Sequence, residues 1–353
     1  MNQGETLLGF LLGIQQECGG TIPFHRFMAE ALHHPRFGYY GAQIADVGAR
    51  GDFSTSATLS GRLGSAIASW AIARAGERGW KRLPLIEIGA GNGQLAAAVL
   101  DQLGWFRRLR TDYLIVESSR VLRARQERLL HRRGVRWHDS VESALGALGG
   151  RALIFSNELV DAFPCRLFEK TTTGWKELGV TLSPEGSLSE CFTGNVPADP
   201  WFATLGPLPE GQRVERHDFY RVWLDSWAAS WREGVLLTID YGEEAGALYT
   251  RRPEGSLRAY WKHRRFTGSE VYARFGKQDL TADVNFSDLM EWGRKLGWTT
   301  RRLDTQREFL ETWIAGQPSS GNIAGILDSP EGAGEAFKVL EQNPGKPVNA
   351  PRD

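Results

Sequence analysis

A glutamate followed by three glycines could hold a cofactor in this chain. Residues 83–100, LPLIEIGAGNGQLAAAVL, read as a buried strand, a turn with glycines at 89, 91 and 93, and a helix. Glycines let the backbone turn sharply and approach a ligand, and the helix start adds unpaired N–H donors. We therefore expect a nucleotide-like ligand here, held by Glu87, Gly89, Ala90, Gly91, Asn92 and Gly93.

The spacing of these glycines discriminates between cofactors. A dinucleotide fold has the pattern G-x-G-x-x-G, with a pyrophosphate at the helix start. Here the third glycine comes one residue early, and Gln94 stands in its place. Glu87 would repel a pyrophosphate but would attract an ammonium group. The motif favours S-adenosylmethionine, which carries an amino group and a sulfonium, over NAD or a purely structural turn.

Further carboxylates follow at the ends of the next two strands. Residues 112–117, DYLIVE, form an apolar strand that ends in Glu117, where an adenosine cofactor needs an acceptor for its ribose hydroxyls. A solvated surface glutamate is the alternative. A helix is expected from about Arg120 to Arg133, and Asp139 follows a third short strand, 135–138. It could reach the adenine amino group or cap the helix that begins near Val141.

Polar residues after the fourth strand are candidates for catalysis. In an open parallel sheet ligands lie beyond the carboxyl ends of the strands, and residues 151–164, RALIFSNELVDAFP, bring Asn157 and Glu158 to that edge. Methyl transfer requires positioning, desolvation and removal of one proton. Asn157 can fix a hydrogen-bond donor, and Glu158 with Asp161 could hold a guanidinium from one side of a turn or short helix. The alternative is a short helix capped by Ser156 or Asn157.

A polar loop precedes these segments. Residues 50–56, RGDFSTS, could close over the cofactor through Asp52 and Thr55. The alternative is a Gly-Asp turn with a Ser/Thr cap before the helix from Leu59.

The order of the elements indicates an α/β protein. Residues 84–156 alternate strand and helix, as βαβ units do. Around them we expect a hairpin in 166–193, a Trp-rich helix at 217–232, a strand at 235–240, a basic irregular insertion at 243–283 and a disordered tail from Gln342.

Trp223, Trp227 and Trp231 could line an aromatic pocket, although their spacing is more typical of a buried face. The domain prediction is a helical extension (1–80), a catalytic domain (81–312) with insertions near 166–216 and 243–283, and a C-terminal segment (313–353).

Composition excludes some classes of protein. In the 353 residues, 42 basic side chains balance 42 acidic ones, so no overall field favours nucleic acid or an anionic surface. Cys18, Cys165 and Cys191 form no C-x-x-C pair, which argues against a disulfide framework and leads us to expect no metal site. The N-terminal residues lack the features of a signal or transit peptide, and no run is long enough for a membrane span. We expect a cytoplasmic protein.

Taken together, the motifs resemble the MidA-type family of S-adenosylmethionine-dependent methyltransferases, whose mitochondrial member acts in the assembly of respiratory complex I. The resemblance follows the family's order from about residue 20 to residue 312. It is carried by FGYY (37–40), GDFSTS (51–56), EIGAGNG (87–93), YLIVES (113–118), NELVDAFP (157–164), DYG (240–242), LRAY (257–260) and DLTADVNF (279–286).

The resemblance implies a fold, an activity and roles for residues. The fold is a Rossmann-like, seven-stranded methyltransferase sheet with a helical N-terminal extension and an inserted region, and the activity is methylation of arginine in an acceptor protein. The glycine turn would wrap the methionine part of the cofactor, with Glu117 and Ser118 at the ribose. The acceptor would face Asn157, Glu158 and Asp161, and also Asp240 and Tyr241, for which an ordinary strand-end turn is the alternative.

Departures from the family pattern keep other functions open. The family usually reads Pro-Glu after Ser56, whereas this chain has Ala57 and Thr58, and Ser65 stands where glutamate is usual. A non-catalytic assembly factor, a small-molecule methyltransferase and, last, a nicotinamide-dependent oxidoreductase are therefore the alternatives. The partner we expect is an acceptor protein; a homodimer is compatible with the sequence, and nothing indicates nucleic acid.

Overall fold

The computed structural model describes residues 6–43, 56–314 and 333–345, and the chain divides into two units. One, termed the antiparallel unit, comprises Met1–Ala45, Val160–Tyr220 and Glu243–Asn285. The other, termed the parallel-sheet unit, comprises Asp46–Leu159, Arg221–Gly242 and Phe286–Asp353. No helix in the described part of the chain is long and apolar enough to cross a membrane.

The helices of the described residues are mostly short. They are α1 (Leu7–Glu17), α2 (Phe24–His33), α3 (Ser56–Glu77), α4 (Gln94–Arg108), α5 (Arg120–Leu129), α6 (Val141–Ala147), α7 (Trp201–Thr204), α8 (Asp218–Trp227), α9 (Ala245–Arg251), α10 (Phe286–Lys295), α11 (Gln306–Ile314) and α12 (Ala333–Ala336). A π-helical turn covers Tyr39–Gln43, and 3₁₀ turns cover Ala228–Ser230 and Gly268–Tyr272.

The strands follow the same chain order. They are β1 (Ile22–Pro23), β2 (Leu83–Ile88), β3 (Thr111–Val116), β4 (Val135–His138), β5 (Arg151–Asn157), β6 (Arg166–Thr171), β7 (Gly174–Leu182), β8 (Leu188–Asn195), β9 (Arg213–Arg216), β10 (Glu233–Glu243), β11 (Arg258–Trp261), β12 (Arg264–Phe266), β13 (Asp279–Thr281), β14 (Val284–Asn285), β15 (Thr299–Thr305) and β16 (Phe337–Asn343).

The parallel-sheet unit confirms the predicted βαβ alternation. Its strands lie in the order β4-β3-β2-β5-β10-β16-β15. The first five run parallel, and β16 is antiparallel to both of its neighbours. The expectation of a seven-stranded sheet is not confirmed, because the described sheet has eight strands.

The core of this unit explains the apolar runs in its strands. The central strands are buried on both faces, as parallel strands covered by helices must be. One face contributes Leu85, Tyr113 and Phe155, which join α3 through Trp70 and α11 through Phe309 in one apolar cluster. The cluster fixes the carboxyl ends of β2, β3 and β5 at one edge of the sheet.

The antiparallel unit contains two small sheets. In the larger, the order is β1-β7-β6-β9, with β8 paired to β7, and the predicted hairpin turn is confirmed where Thr171 pairs with Gly174. The smaller sheet has the order β12-β11-β13. The core between β6, β9, α7 and α9 contains Phe168, Trp201, Leu205, Val214, Ala245, Leu248 and Tyr249.

Three expectations about individual segments are wrong. Residues 243–283 are not irregular, because they contain α9, the β11–β13 sheet and a 3₁₀ turn. Gln342 lies in β16, where it pairs with Leu236 and Thr300, so the C-terminal strand continues past the predicted start of the tail. The helix predicted from Arg120 to Arg133 already ends at Leu129.

Candidate active site

The glycine turn between β2 and α4 has a left-handed backbone at each of its three glycines. The φ angles are 68° at Gly89, 54° at Gly91 and 84° at Gly93, a region that other residues rarely adopt. A Cβ atom on Gly91 would meet no atom within 4 Å, so the backbone there faces open space. Asn92 accepts a hydrogen bond from the N–H of Gln94 at 3.1 Å and so shapes the start of α4. The turn therefore combines an open approach with a helix N-terminus.

Glu87 is buried beneath this turn. Only 2% of the residue is exposed, and its Oε2 accepts a hydrogen bond of 2.6 Å from the hydroxyl of Tyr113. Burial raises the pKa of the Glu87 carboxyl to about 7, although the Tyr113 hydrogen bond acts in the opposite direction. A carboxylate of this kind can form a strong pair with an ammonium group, because few waters compete for it.

Glu117 follows β3 at the same edge of the sheet, and its side chain is hydrogen-bonded to Gln126. The Oε1 of Glu117 accepts from the N–H of Ser119 at 2.8 Å, and its Oε2 accepts from Nε2 of Gln126 at 3.0 Å. Burial raises the pKa of the Glu117 carboxyl, whereas these donors lower it. The geometry fixes the position of a carboxylate that can accept hydrogen bonds from hydroxyl groups.

Gln126 is a functional candidate that sequence reasoning missed. Its Nε2 also donates to the carbonyl oxygen of Gly91 at 2.8 Å, and its Oε1 accepts from Nε1 of Trp137 at 2.9 Å. The side chain therefore joins the glycine turn, Glu117 and β4. Its signal in the sequence is a glutamine four residues after Leu122 on the buried face of α5, where an apolar residue is expected.

The remaining cofactor predictions have different outcomes. Ser140, not Asp139, caps α6 by accepting from the N–H of Ser143, so the capping alternative for Asp139 is wrong. The Asp139 side chain is 90% exposed and pairs with Arg123 at 2.9 Å. Ser118 is exposed, and Ala90 is buried in the apolar core. Asp52 and Thr55 lie outside the described residues.

The structure brings Asn157 and Glu158 to the edge occupied by the glycine turn. Ser156 of β5 pairs with Ile88, the last residue of β2, so both strands end together. Glu158 has φ of 52°, and its N–H bonds to the carbonyl oxygen of Ile239 at 2.9 Å. No helix follows β5 in residues 158–165, which form bends, one turn and irregular backbone, so the helix-capping alternative is wrong.

The side chain of Glu158 has partners on both oxygens. Its Oε1 accepts from Nδ2 of Asn157 at 3.0 Å, and its Oε2 accepts from the hydroxyl of Tyr241 at 3.3 Å. The ring of Tyr241 packs edge-on against Phe337, with 4.8 Å between centroids. Two neighbouring strands thus position one half-buried carboxylate.

The environment of Asp240 differs from that of Tyr241. Asp240 is completely buried, and its carboxylate accepts the backbone N–H groups of Leu159 at 3.1 Å and of Tyr241 at 3.0 Å. Buried carboxylates bonded to backbone N–H groups fix loops. The geometry indicates that Asp240 positions the loop after Glu158, and its contact with an acceptor stays a prediction.

Asp161 belongs to the antiparallel unit. It is 4% exposed, and its Oδ2 accepts a hydrogen bond of 2.6 Å from the hydroxyl of Thr281 in β13. In the same unit the hydroxyl of Tyr40 donates to Asp279 at 2.8 Å. The family motifs at 37–40 and 279–286 therefore meet in space, and the role of Asp161 toward an acceptor stays a prediction.

Two of the three tryptophans proposed for an aromatic pocket belong to the core. Trp227 and Trp231 are 2% and 3% exposed, and both rings lie within 6 Å of the Trp298 ring. The packing supports the interpretation of this helix as a core element. The burial of these two rings weakens the sequence feature that favoured a small-molecule acceptor.

A family of known proteins matches most of the chain. The family described as "Putative S-adenosyl-L-methionine-dependent methyltransferase" matches residues 66–303. This range includes the glycine turn, Glu117, Glu158 and Tyr241.

Curated relatives and a solved structure show the same similarity. The Caenorhabditis elegans protein named "Protein arginine methyltransferase NDUFAF7 homolog, mitochondrial" is 30% identical, covering 76% of this chain and 68% of the relative. The Mus musculus protein "Protein arginine methyltransferase NDUFAF7, mitochondrial" is 28% identical, covering 90% and 80%. A Burkholderia thailandensis COG1565 superfamily member, crystallised with S-adenosyl-homocysteine, has a TM-score of 0.81 and 28% identity, covering 98% of this chain and 92% of that one.

The family match spans both the cofactor turn and the polar edge of the sheet, and the similar crystal structure has the same fold over nearly its whole length. The chain therefore belongs to this family of S-adenosylmethionine-dependent methyltransferases, and S-adenosylmethionine is its cofactor.

Proposed function

We propose that this enzyme methylates arginine side chains of a protein, and that Glu158 binds the guanidinium group. The observation that carries the proposal is the left-handed backbone of Glu158 at the end of β5, with φ of 52°. Such a conformation costs a non-glycine residue about 1 kcal/mol or more and persists where the surroundings enforce it, which is common at functional sites. The names of the relatives in Caenorhabditis elegans and Mus musculus support arginine as the acceptor.

The described residues fit the cofactor. S-adenosylmethionine supplies an electrophilic methyl group on a sulfonium. The open space in front of Gly91 accommodates a ligand against the backbone, and the start of α4 provides N–H donors. Glu87 would pair with the ammonium group, and Glu117 would accept hydrogen bonds from the ribose hydroxyls.

Glu158 would act on the acceptor in two ways. A guanidinium is protonated at neutral pH, so its attacking nitrogen must lose a proton as the methyl group leaves the sulfonium, and Glu158 would accept that proton. A carboxylate can bind two N–H groups of a guanidinium at once and orient the third nitrogen. The hydrogen bonds from Asn157 and Tyr241 fix the carboxylate, so that little reorganisation is needed when the acceptor binds.

Cofactor affinity is expected to depend on the protonation of Glu87. Because the pKa of its buried carboxyl is about 7, the group is neutral at lower pH and must lose a proton to pair with an ammonium. Affinity should fall by up to about tenfold per pH unit as the pH decreases below the pKa. In Glu87→Gln, affinity should be weaker at pH 8 and nearly independent of pH, as measured by calorimetric titration.

A cofactor fragment provides the control for this experiment. Methylthioadenosine has the adenosine part but lacks the amino-acid part with its ammonium group, so its affinity should be the same in the wild type and in Glu87→Gln. An equal loss for the fragment, or a wild-type affinity that does not change with pH, would show that Glu87 does not bind the ammonium.

Gln126→Met tests the residue that sequence reasoning missed. Methionine has a similar volume, but it leaves the carbonyl of Gly91 and the indole N–H of Trp137 without their present partner. We expect the free energy of unfolding to fall by about 2–4 kcal/mol and cofactor affinity to fall about tenfold, because Glu117 loses a donor. Gln102→Met, at an exposed position on α4, is the matched control and should change neither quantity. Unchanged affinity in Gln126→Met would exclude a role in the site.

Transfer of a labelled methyl group tests the proposed reaction. Purified enzyme, proteins from a cell extract and methyl-labelled S-adenosylmethionine should yield labelled protein, and acid hydrolysis should release the label as methylarginine. Label in another amino acid, or only in small molecules, would refute arginine as the acceptor. If no methyl group is transferred in any extract, the non-catalytic alternative is the better account.

A further inference from the structure

The end of α4 carries an exposed apolar surface. Trp105, Phe106 and Leu109 are 61%, 78% and 60% exposed. The rings of Trp105 and Phe106 pack edge-on, with 4.7 Å between centroids. We call residues 105–110, WFRRLR, the α4 tip. Isolated apolar side chains on a surface are ordinary, but three together in six residues indicate a contact surface.

The fold holds this tip away from the core. Leu103 is the last buried residue of α4, and Gly104 then leaves the helical conformation with φ of 66° and ψ of 167°. The base of the tip is fixed, because the carbonyl oxygen of Arg110 accepts the N–H of Leu83 at 2.8 Å. The aromatic side chains are therefore exposed because the backbone on both sides of them is fixed in this conformation, and not because they lie at a chain terminus.

The tip is also strongly basic. Arg107 and Arg110 are exposed and Arg108 is half-buried, and within the described part of the chain none of these three side chains forms an ion pair. The nearest acidic residues in the sequence have other partners. Asp101 pairs with Arg133 at 2.6 Å, and Asp112 pairs with Arg82 at 2.7 Å. The positive charge of the tip is thus left for an external partner.

We propose that the α4 tip docks the enzyme on an anionic lipid bilayer. Tryptophan and phenylalanine partition into the interface between lipid headgroups and acyl chains, and neighbouring arginines bind anionic headgroups. The apolar part of each arginine side chain can lie along the apolar surface while its charge stays at the headgroups. The tip combines both requirements in one short segment, and the proposal is independent of the acceptor of the methyl group.

Other occupants fit the tip less well. In a symmetric dimer through this surface, Arg107, Arg108 and Arg110 of both copies would face each other and repel. Single-stranded nucleic acid needs flat aromatic faces for its bases. Here Trp105 and Phe106 pack against each other, and the aliphatic Leu109 offers no such face. An anionic bilayer could contact the two aromatic rings and Leu109 at its interface and the three arginines at its headgroups.

The position of the tip leaves the catalytic edge accessible. In the parallel sheet, α4 begins at the glycine turn and the tip leads into the start of β3. The tip therefore lies toward the edge of the sheet opposite Glu117 and Glu158, about 15 Å from the glycine turn by the length of the regular helix before Gly104. Docking through the tip would leave the cofactor turn facing the aqueous phase.

Sedimentation with lipid vesicles tests the proposal. Vesicles of equal parts phosphatidylcholine and phosphatidylglycerol should bind the wild-type protein, pure phosphatidylcholine should not, and high salt should release it. Trp105→Ser with Phe106→Ser should weaken binding at least about tenfold. Arg107→Gln with Arg110→Gln should weaken it about fivefold per arginine. Because the substituted side chains are exposed, the midpoint temperature of thermal unfolding should be the same in these variants as in the wild type.

The antiparallel unit offers a matched control. Phe192 is 46% exposed, and Nζ of Lys176 lies 5.2 Å from its ring centroid. Phe192→Ser with Lys176→Gln removes an exposed aromatic ring and a cation elsewhere and should leave vesicle binding unchanged. The proposal is overturned if the wild type does not bind the anionic vesicles, or if the tip variants bind them as well as the wild type does. It is also overturned if the tip binds only other polyanions, namely polyglutamate, an acidic peptide, or single-stranded RNA.

Discussion

Gly91→Val is expected to reduce the affinity for S-adenosylmethionine by at least about a hundredfold, equivalent to ~3 kcal/mol. The present residue has φ of 54° and faces open space, where a Cβ would meet no atom within 4 Å. Valine would place two methyl groups in the volume assigned to the cofactor and would strain the left-handed turn by about 1–2 kcal/mol. Calorimetric titration with S-adenosylmethionine and S-adenosylhomocysteine measures the effect.

Gly79→Val separates backbone strain from occlusion of the site. Gly79 has φ of 65°, its Cβ would also meet no atom within 4 Å, and it follows α3 in the same unit. The substitution should lower thermal stability about as much as Gly91→Val does, but it should leave cofactor affinity unchanged. If both variants weaken binding equally, strain and not the position of the cofactor explains the loss.

Glu158→Gln is expected to reduce turnover about a hundredfold while leaving cofactor affinity within about twofold of the wild type. The amide keeps the shape of the side chain but cannot accept a proton, and it binds a guanidinium more weakly than a carboxylate does. Single-turnover rates with labelled S-adenosylmethionine measure the chemical step. Normal turnover in this variant would remove Glu158 from the mechanism.

Glu158→Gly distinguishes function from folding. Glycine adopts φ of 52° without strain, which offsets the loss of the hydrogen bonds from Asn157 and Tyr241. The free energy of unfolding should stay within about 1 kcal/mol of the wild type, whereas turnover should fall as far as in Glu158→Gln. Glu142→Gln, at an exposed position in α6, should leave both unchanged.

The local parts of the site could be predicted from the sequence. The strand, glycine turn and helix around Gly91 follow from an apolar run, three glycines and an apolar stripe, which are all short-range signals. Glu117 and Asn157 could be placed because parallel strands must end at the same edge of a sheet. The register of β2, β3 and β5 confirms this placement.

Parts that depend on distant segments could not be predicted. Gln126 contacts Gly91 and Trp137 only after α5 packs against the sheet. Gln342 was expected in a disordered tail because Pro and Gly follow it closely, but β16 pairs between β10 and β15, whose positions no local pattern reveals. The left-handed backbone of Glu158 likewise depends on the bond between its N–H and Ile239.

The cap of α6 shows how a small ambiguity is resolved. Asp139 and Ser140 are adjacent, and both residue types are good helix caps. The backbone places Ser140 in the extended conformation that a cap requires, with its side chain accepting the N–H of Ser143. Asp139 is left exposed beside Arg123, so its contact with adenine rests on its position after β4 alone.

Hydrogen exchange with and without S-adenosylhomocysteine tests most directly the claim that the cofactor binds on the glycine turn. We predict that the ligand slows hydrogen exchange at least about tenfold at the amides of residues 89–95 and 117–119, because the bound ligand covers these segments and suppresses their local opening. The amides of β7 and β8 in the antiparallel unit should exchange at the same rate in both states. Unchanged exchange at the glycine turn, with protection only elsewhere, would contradict the account.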